Sequence, residues 1–196
     1  YDFKTIAGYA QYGLDLTSSV KLKVNVRFEN NFIIYDGLSQ GFNEYWEKIF
    51  LPTIHFNIDH SMLGYRAALH YLKDESTSFY GSVSQGYKSG GVNQQPYLND
   101  ISRPYEPEFI QNFEIGLMHA TDIFRTQLSA FYSLRKDQQV SLSRQQVEGD
   151  PNSFLFFTAN AGSGSIKGFE WETNYQILSK ISLNTSLGYL DTWIDK

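Results

Sequence analysis

The sequence predicts an all-β fold, an antiparallel up-and-down transmembrane β-barrel with about eight strands in 196 residues. Three observations predict it. Apolar and polar residues alternate with period two over segments of about ten residues, helical periodicity is nearly absent, and the links between segments are short and long by turns. A tilted strand crossing a bilayer needs about nine to eleven residues, whereas ordinary globular strands have about five or six. A strict short-long order gathers the tight turns at one end of a sheet and the long loops at the other, as in outer-membrane barrels.

The first strand is expected near 6–14. In "VKLKVNVRFE" (20–29), Val20, Leu22, Val24, Val26 and Phe28 occupy one face, against Lys21, Lys23, Asn25, Arg27 and Glu29. "LGYRAALHY" (63–71) and "FEIGL" (113–117) follow the rule more loosely. Between them, "YGSVSQGYKSGGVN" (80–93) leaves its strand where Gly86, Gly90 and Gly91 release the chain into a loop. "FRTQLSAFYSLR" (124–135) sets Phe124, Leu128, Ala130, Tyr132 and Leu134 against Arg125, Gln127, Ser129, Ser133 and Arg135, with Phe131 as the exception. After the glycines of 162–168, Phe169, Trp171, Tyr175 and Ile177 oppose Glu170, Glu172, Asn174 and Gln176. "ISLNTSLGYLD" (181–191) repeats the pattern. Short links lie at 15–19, 73–76, 120–123 and 178–180, and long ones at roughly 30–60, 88–106 and 137–160. Tyr71, Tyr87, Trp171, Tyr189 and Trp193, near segment ends, suit interfacial aromatic girdles. A soluble β-sandwich also alternates apolar and polar positions and stays open at this point.

Composition removes other classes. The net charge is -5 and Lys and Arg are scattered singly, so there is no basic patch for nucleic acid. Mean hydropathy is -0.37, and no apolar run approaches the roughly 18 residues of a membrane helix. The absence of cysteine removes disulfides, thiol nucleophiles and thiolate metal sites. No basic region followed by an apolar core opens the sequence, so the expectation is a chain that is not exported or whose leader has been removed.

Motif matches are weak. Gly162, Gly164 and Gly168 read G-x-G-x-x-x-G, one residue off a dinucleotide fingerprint, and precede a strand where a helix is required. Ser133 to Lys136 spells S-x-x-K but sits on a strand and follows the K-S-G of Lys88 to Gly90, the reverse of the order in penicillin-binding enzymes. His55, His60, His70 and His119 lack metal-site spacing. The expectation is therefore no enzyme, no cofactor and no metal site. The polar face carries both signs. Arg27, Arg66, Glu114, Arg125, Arg135, Glu170 and Glu172 are expected to face the lumen, as a structural charge ladder or as a wall that guides substrate.

"YGSVSQGYKSGGVN" (80–93), "YEPE" (105–108), "NFEIGL" (112–117), "NAG" with "KGFEWE" (160–172) and "SLGYLDT" (186–192), in this order, resemble the barrel half of TonB-dependent outer-membrane receptors. The resemblance covers about 60–196, and more weakly "YAQYGLDLTSSVKLKVNVRFE" (9–29). It implies a 22-stranded barrel plugged by an N-terminal domain, located in the bacterial outer membrane and importing ferric siderophores or similarly scarce nutrients. Residues 1–196 are then expected to be a barrel segment without the plug. It implies outer-membrane lipid, a ferric siderophore or other small nutrient, and the TonB complex, reached through the missing plug region, as partners. Tyr87, Lys88, Asn93, Gln94, Tyr97, Arg103 and Tyr105 are the expected ligand contacts in an outer loop. A complete eight-stranded barrel with an adhesive or structural role is the alternative, and it requires pairing between strands near 6–14 and 181–193.

Overall fold

The computed structural model describes residues 1–38, 40–42, 47–50, 53–95, 98, 100–145, 148–151 and 153–194. In chain order these form β1 (Asp2–Asp15), β2 (Val20–Gly37), β3 (Gln40–Phe42), β4 (Lys48–Phe50), β5 (Ile54–Leu72), β6 (Thr77–Lys88) and β7 (Gly91–Val92). A 3-10 turn (Asp100–Ser102) follows, then β8 (Pro104–Tyr105), β9 (Glu108–Ala120), β10 (Phe124–Lys136), β11 (Gln139–Gln145), β12 (Phe154–Asn160), β13 (Gly164–Leu178) and β14 (Ile181–Ile194). Eight strands make one antiparallel sheet in the order β1-β2-β5-β6-β9-β10-β13-β14, and the short strands pair locally as β3-β4, β7-β8 and β11-β12.

The tight turns are all at one end, and three of them are built by a polar side chain that caps its own backbone. Thr17 Oγ1 accepts the amides of Ser19 and Val20 at 3.2 and 3.0 Å. Asp74 Oδ1 accepts the Ser76 amide at 2.9 Å, and Thr121 Oγ1 accepts that of Phe124 at 3.1 Å. The Ser76 amide also holds the exposed Asp74 carboxylate below the usual aspartate range.

Register separates the two faces across the whole sheet. One unbroken row reads Leu14, Leu22, Leu69, Gly81, Ile115, Ala130, Phe169 and Tyr189. A row of the opposite face reads Gln11, Asn25, Arg66, Ser84, Asn112, Ser133, Ile166 and Thr192. The apolar row points outward and uncovered, with Ile115 67% and Tyr189 56% exposed. A soluble sandwich would bury these side chains against a second sheet, so that alternative fails. The closed eight-stranded barrel fails as well, because β1 and β14 stand at opposite ends of the order and do not pair with each other.

The apolar outer band has a definite height. On β2 it runs from Val20 to Phe28, eight rises of about 3.4 Å, or ~21 Å once tilted by about 40°. That compares with the roughly 25 Å apolar band of an outer-membrane barrel. Above it the polarity inverts. Asn30 and Ser61 face outward and bond each other at 2.9 Å, as do Asp36 and His55 at 2.6 Å. The inner face there turns apolar, with Ile33, Tyr35, Ile54, Phe56 and Ile58 packed around Val92. The stretch expected as a loop over 30–60 is thus strand to Gly37 and again from Ile54. The segment 137–160 likewise contains the β11-β12 hairpin.

Two glycines within the strands serve packing. Gly168 lies within β13, where an added Cβ would press on the Tyr189 carbonyl oxygen and fall 2.9 Å from Phe131 Cζ, so it makes room for the neighbouring backbone and for a ring. Gly116 does the same for Tyr80, whose hydroxyl then donates to Glu114 at 2.7 Å.

Candidate functional site

All seven expected lumen residues, Arg27, Arg66, Glu114, Arg125, Arg135, Glu170 and Glu172, share the polar face by register. Their neighbours tie this face into a hydrogen-bonded wall. Arg27 donates to Glu29 Oε2 at 2.6 Å and to the Tyr87 hydroxyl at 3.0 Å, and that hydroxyl donates to Glu29 at 3.2 Å. Asn112 donates to Glu114 at 3.2 Å and accepts from Ser133 at 2.7 Å.

Strand parity alone would send Tyr87 outward beside Val83 and Gln85, in keeping with the expected girdle. It turns inward instead. The β5-β6 ladder ends at Tyr65-Gln85, and opposite Arg27 stands Gly64, whose missing side chain leaves a slot for the Tyr87 ring. A Cβ at Gly64 would meet that ring at 3.1 Å.

Where the polar wall reaches the long loops, residues far apart in sequence converge. Thr5 donates to Asn31 at 2.8 Å, and Asn31 to Ser89 at 2.8 Å. Arg135 Nε donates to Glu108 at 2.9 Å, and the other oxygen of Glu108 accepts the Gln139 amide at 2.9 Å. Gln139 Nε2 donates to the carbonyls of Ser89 and Glu106 at 2.8 and 3.1 Å. Asn160 Oδ1 accepts the Glu106 amide at 2.7 Å, while its Nδ2 donates to the carbonyls of Glu106 and Asp137 at 2.9 and 2.8 Å. Asp137 has a φ of 54°, a left-handed conformation that Asp tolerates and that turns the chain from β10 into β11. His60, on β5 below this knot, is buried and places Nε2 3.5 Å from Glu106 Oε2.

The expected ligand contacts fall into groups. Tyr87 and Lys88 close β6 at the rim, with Lys88 exposed and opposite Glu108 in register. Gln94 is exposed in the following loop. Tyr105 is half-buried on β8, with its hydroxyl pushed above the ordinary phenol value by burial and then by the neighbouring Tyr1. Asn93 and Arg103 are buried behind them, and the Asn93 backbone amide donates to the Arg103 carbonyl at 2.7 Å. Tyr97 lies outside the described residues. Among the described residues, no three His, Asp or Glu side chains cluster as metal ligands would.

Sequence reasoning did not single out His60, Gln139 or Asn160 as site residues, and it read Glu106 and Glu108 only as part of "YEPE". The signal was available in part. "YEPE", "NAG" and the Ser89-Gly90-Gly91-Val92-Asn93 run each supply a member of one knot, which gives the ordered motifs a shared physical role.

The mouth therefore combines a cation, phenol rings and carboxamides above a hydrogen-bonded, mixed-charge wall, with an apolar surface on the other side. A sequence model described as "TonB dependent receptor-like, beta-barrel" matches residues 1–196. The pesticin receptor of Yersinia pestis is 26% identical over 175 residues, which are 88% of this chain and 24% of that protein. The chain thus spans about a quarter of the length of the curated relatives it matches. Among solved structures, the ferric yersiniabactin uptake receptor FyuA from Yersinia pestis superposes with a TM-score of 0.79 at 20% identity, over 98% of this chain and 27% of that one. The siderophore receptor PiuA from Acinetobacter baumannii gives 0.69 at 19% identity, over 97% and 25%.

Proposed function

Since the chain belongs to the TonB-dependent receptor-like β-barrel family, we propose that the complete protein is a transporter of the bacterial outer membrane. It captures a ferric siderophore or a similarly scarce nutrient in its outer loops and passes it inward with energy from the TonB complex. The observation that carries this reading is the two-faced sheet. One face is apolar, uncovered and of bilayer height, the other is predominantly polar over the same height, and the long loops crown only one end. Structural neighbours described as a ferric yersiniabactin uptake receptor and a siderophore receptor support the choice of cargo.

On this reading residues 1–196 are part of a larger barrel, and the rest of the complete protein supplies the plug and the TonB contact. The family is one of receptors and transporters, and we infer that the chain does no chemistry on its cargo. Tyr87, Lys88, Gln94, Tyr97 and Tyr105 are proposed as the contacting side chains, with Asn93 and Arg103 behind them. Phenol rings and carboxamides suit a ligand that arrives with its metal already chelated, and Lys88 suits an anionic one. The lumen residues are proposed to line the path that the cargo follows past the plug.

Radioiron loaded onto catecholate, hydroxamate and phenolate siderophores tests this in cells that carry or lack the complete gene. Uptake of one class that requires both the gene and TonB is expected. Equal uptake with and without the gene, for every class, would overturn the reading.

A further inference from the structure

The knot at the loop bases contains a pair of reciprocal contacts. Asn93, in the loop after β7, addresses both backbone groups of Thr158 on β12. Its Nδ2 donates to the Thr158 carbonyl at 2.7 Å and its Oδ1 accepts the Thr158 amide at 2.8 Å. Asn160, two residues further along β12, does the same in reverse to Glu106 in the Asn93 loop. A carboxamide presents the same N–H and C=O pair as a peptide unit, so each asparagine extends a backbone ladder that the strands themselves do not complete.

Neither side chain has a donor to spare. Asn93 is 6% exposed, and its Nδ2 also reaches the carbonyls of Ser102 and Arg103 at 3.2 and 3.1 Å. The second hydrogen of the Asn160 amide goes to Asp137. A single contact between two loops is a pivot. Two contacts spaced along one strand by two residues, about 7 Å, remove the rotation that one would leave. Gln139, bonded from the partner strand β11 to Ser89 and Glu106, adds a third point out of line with them.

We propose that Asn93, Gln139 and Asn160 are positioning residues that bind residues 89–95 and 100–106 to the paired strands β11 and β12 as one rigid lip. The lip fixes the proposed contacts Gln94 and Tyr105 against the hairpin, and its integrity sets how long the ligand stays. This rests on the transporter reading for its effect on ligand, though not for its effect on the loops.

These 196 residues contain no cysteine, so spin labels are introduced into the complete receptor, freed of any other reactive cysteine, at Ile101→Cys and Leu142→Cys. Both positions are exposed, one on each loop. The parent is expected to show one narrow inter-label distance. Asn93→Ala with Asn160→Ala is expected to broaden it, and Asn160→Asp, which keeps the acceptor but loses the donors, to fall between, with barrel melting unchanged. The same double variant is expected to release the bound ferric siderophore about fivefold to tenfold faster, the scale of one lost net hydrogen bond. The siderophore is whichever of the catecholate, hydroxamate and phenolate probes the parent binds. An unchanged distance distribution, or a broadened one with unchanged release, would overturn the proposal. If no probe binds the parent, it is the transporter reading that fails, and the labels still decide whether the loops form one body.

Discussion

Ile115→Arg separates a lipid-facing surface from a water-facing one at a single residue. Ile115 is 67% exposed and lies midway along β9, in the row that runs through Ala130 and Phe169. On a soluble protein an exposed position of this kind tolerates substitution within about 0.5 kcal/mol. At the midplane of a bilayer, arginine on the outside of a β-barrel costs ~2–4 kcal/mol, falling to about 0–1 near the interfaces. Ser165 serves as the internal control. It shares the outward face at the loop end of β13, next to Trp193, so Ser165→Arg is expected to stay near the interfacial value. Urea titration of the complete receptor refolded into phosphatidylcholine vesicles, read by tryptophan fluorescence, gives both differences from midpoint and slope. Equal, near-zero effects at the two positions would refute the assignment of this face to lipid.

Gly116→Val would drive a side chain into the Tyr80 ring and is expected to cost about 1–3 kcal/mol. Adding Tyr80→Ala should return part of that loss in the same titration. Arg135→Met removes the ion-pair partner of Glu108, whose side chain is 10% exposed. A fully buried pair broken in this way costs ~3–5 kcal/mol, and the 29% exposure of Arg135 brings the expectation to about 1–3. Glu108→Gln in the same background should recover part of the loss. Asp74 has a lowered folded-state pKa, so its contribution is full above the ordinary aspartate value of about 3.9 and is lost as pH falls through the lower folded value. Asp74→Asn should therefore differ from the parent at neutral pH and converge with it in acid. A carboxyl titration of Asp74 by NMR centred at or above the ordinary value would contradict this.

Much of the sheet could be read from the sequence because a membrane strand states its two faces residue by residue. Lys21 to Glu29 alternates without a break, and the four short links fall within a residue or two of the turns. The extensions of β2 and β5 were harder. Above the bilayer the apolar side turns inward, and in Asn31, Phe32, Ile33, Ile34 and Tyr35 both faces carry apolar groups, so the alternation blurs. "IHFNID" (54–59) does alternate, and its membership of a strand was legible but hidden inside a segment taken as a loop. The knot is a different matter. Asn93 and Thr158 are 65 residues apart, and no local pattern says that a carboxamide will complete a distant ladder. Tyr87 escaped parity for a similar reason, since only the tertiary pairing puts Gly64 beneath it.

The strict alternation of the two faces also bears on how such a chain reaches its membrane. On β2 every apolar residue from Val20 to Phe28 has Lys21, Lys23, Asn25, Arg27 or Glu29 beside it. Were this stretch to enter an inner membrane as a helix, each charge near the centre would cost about 2.5–3.5 kcal/mol, more than the apolar neighbours return. Only when the segment is extended, with neighbours to satisfy its backbone, do the charges all leave the lipid together. The pattern that gives the finished sheet a greasy surface therefore also keeps the unfolded chain from lodging in the first bilayer it meets.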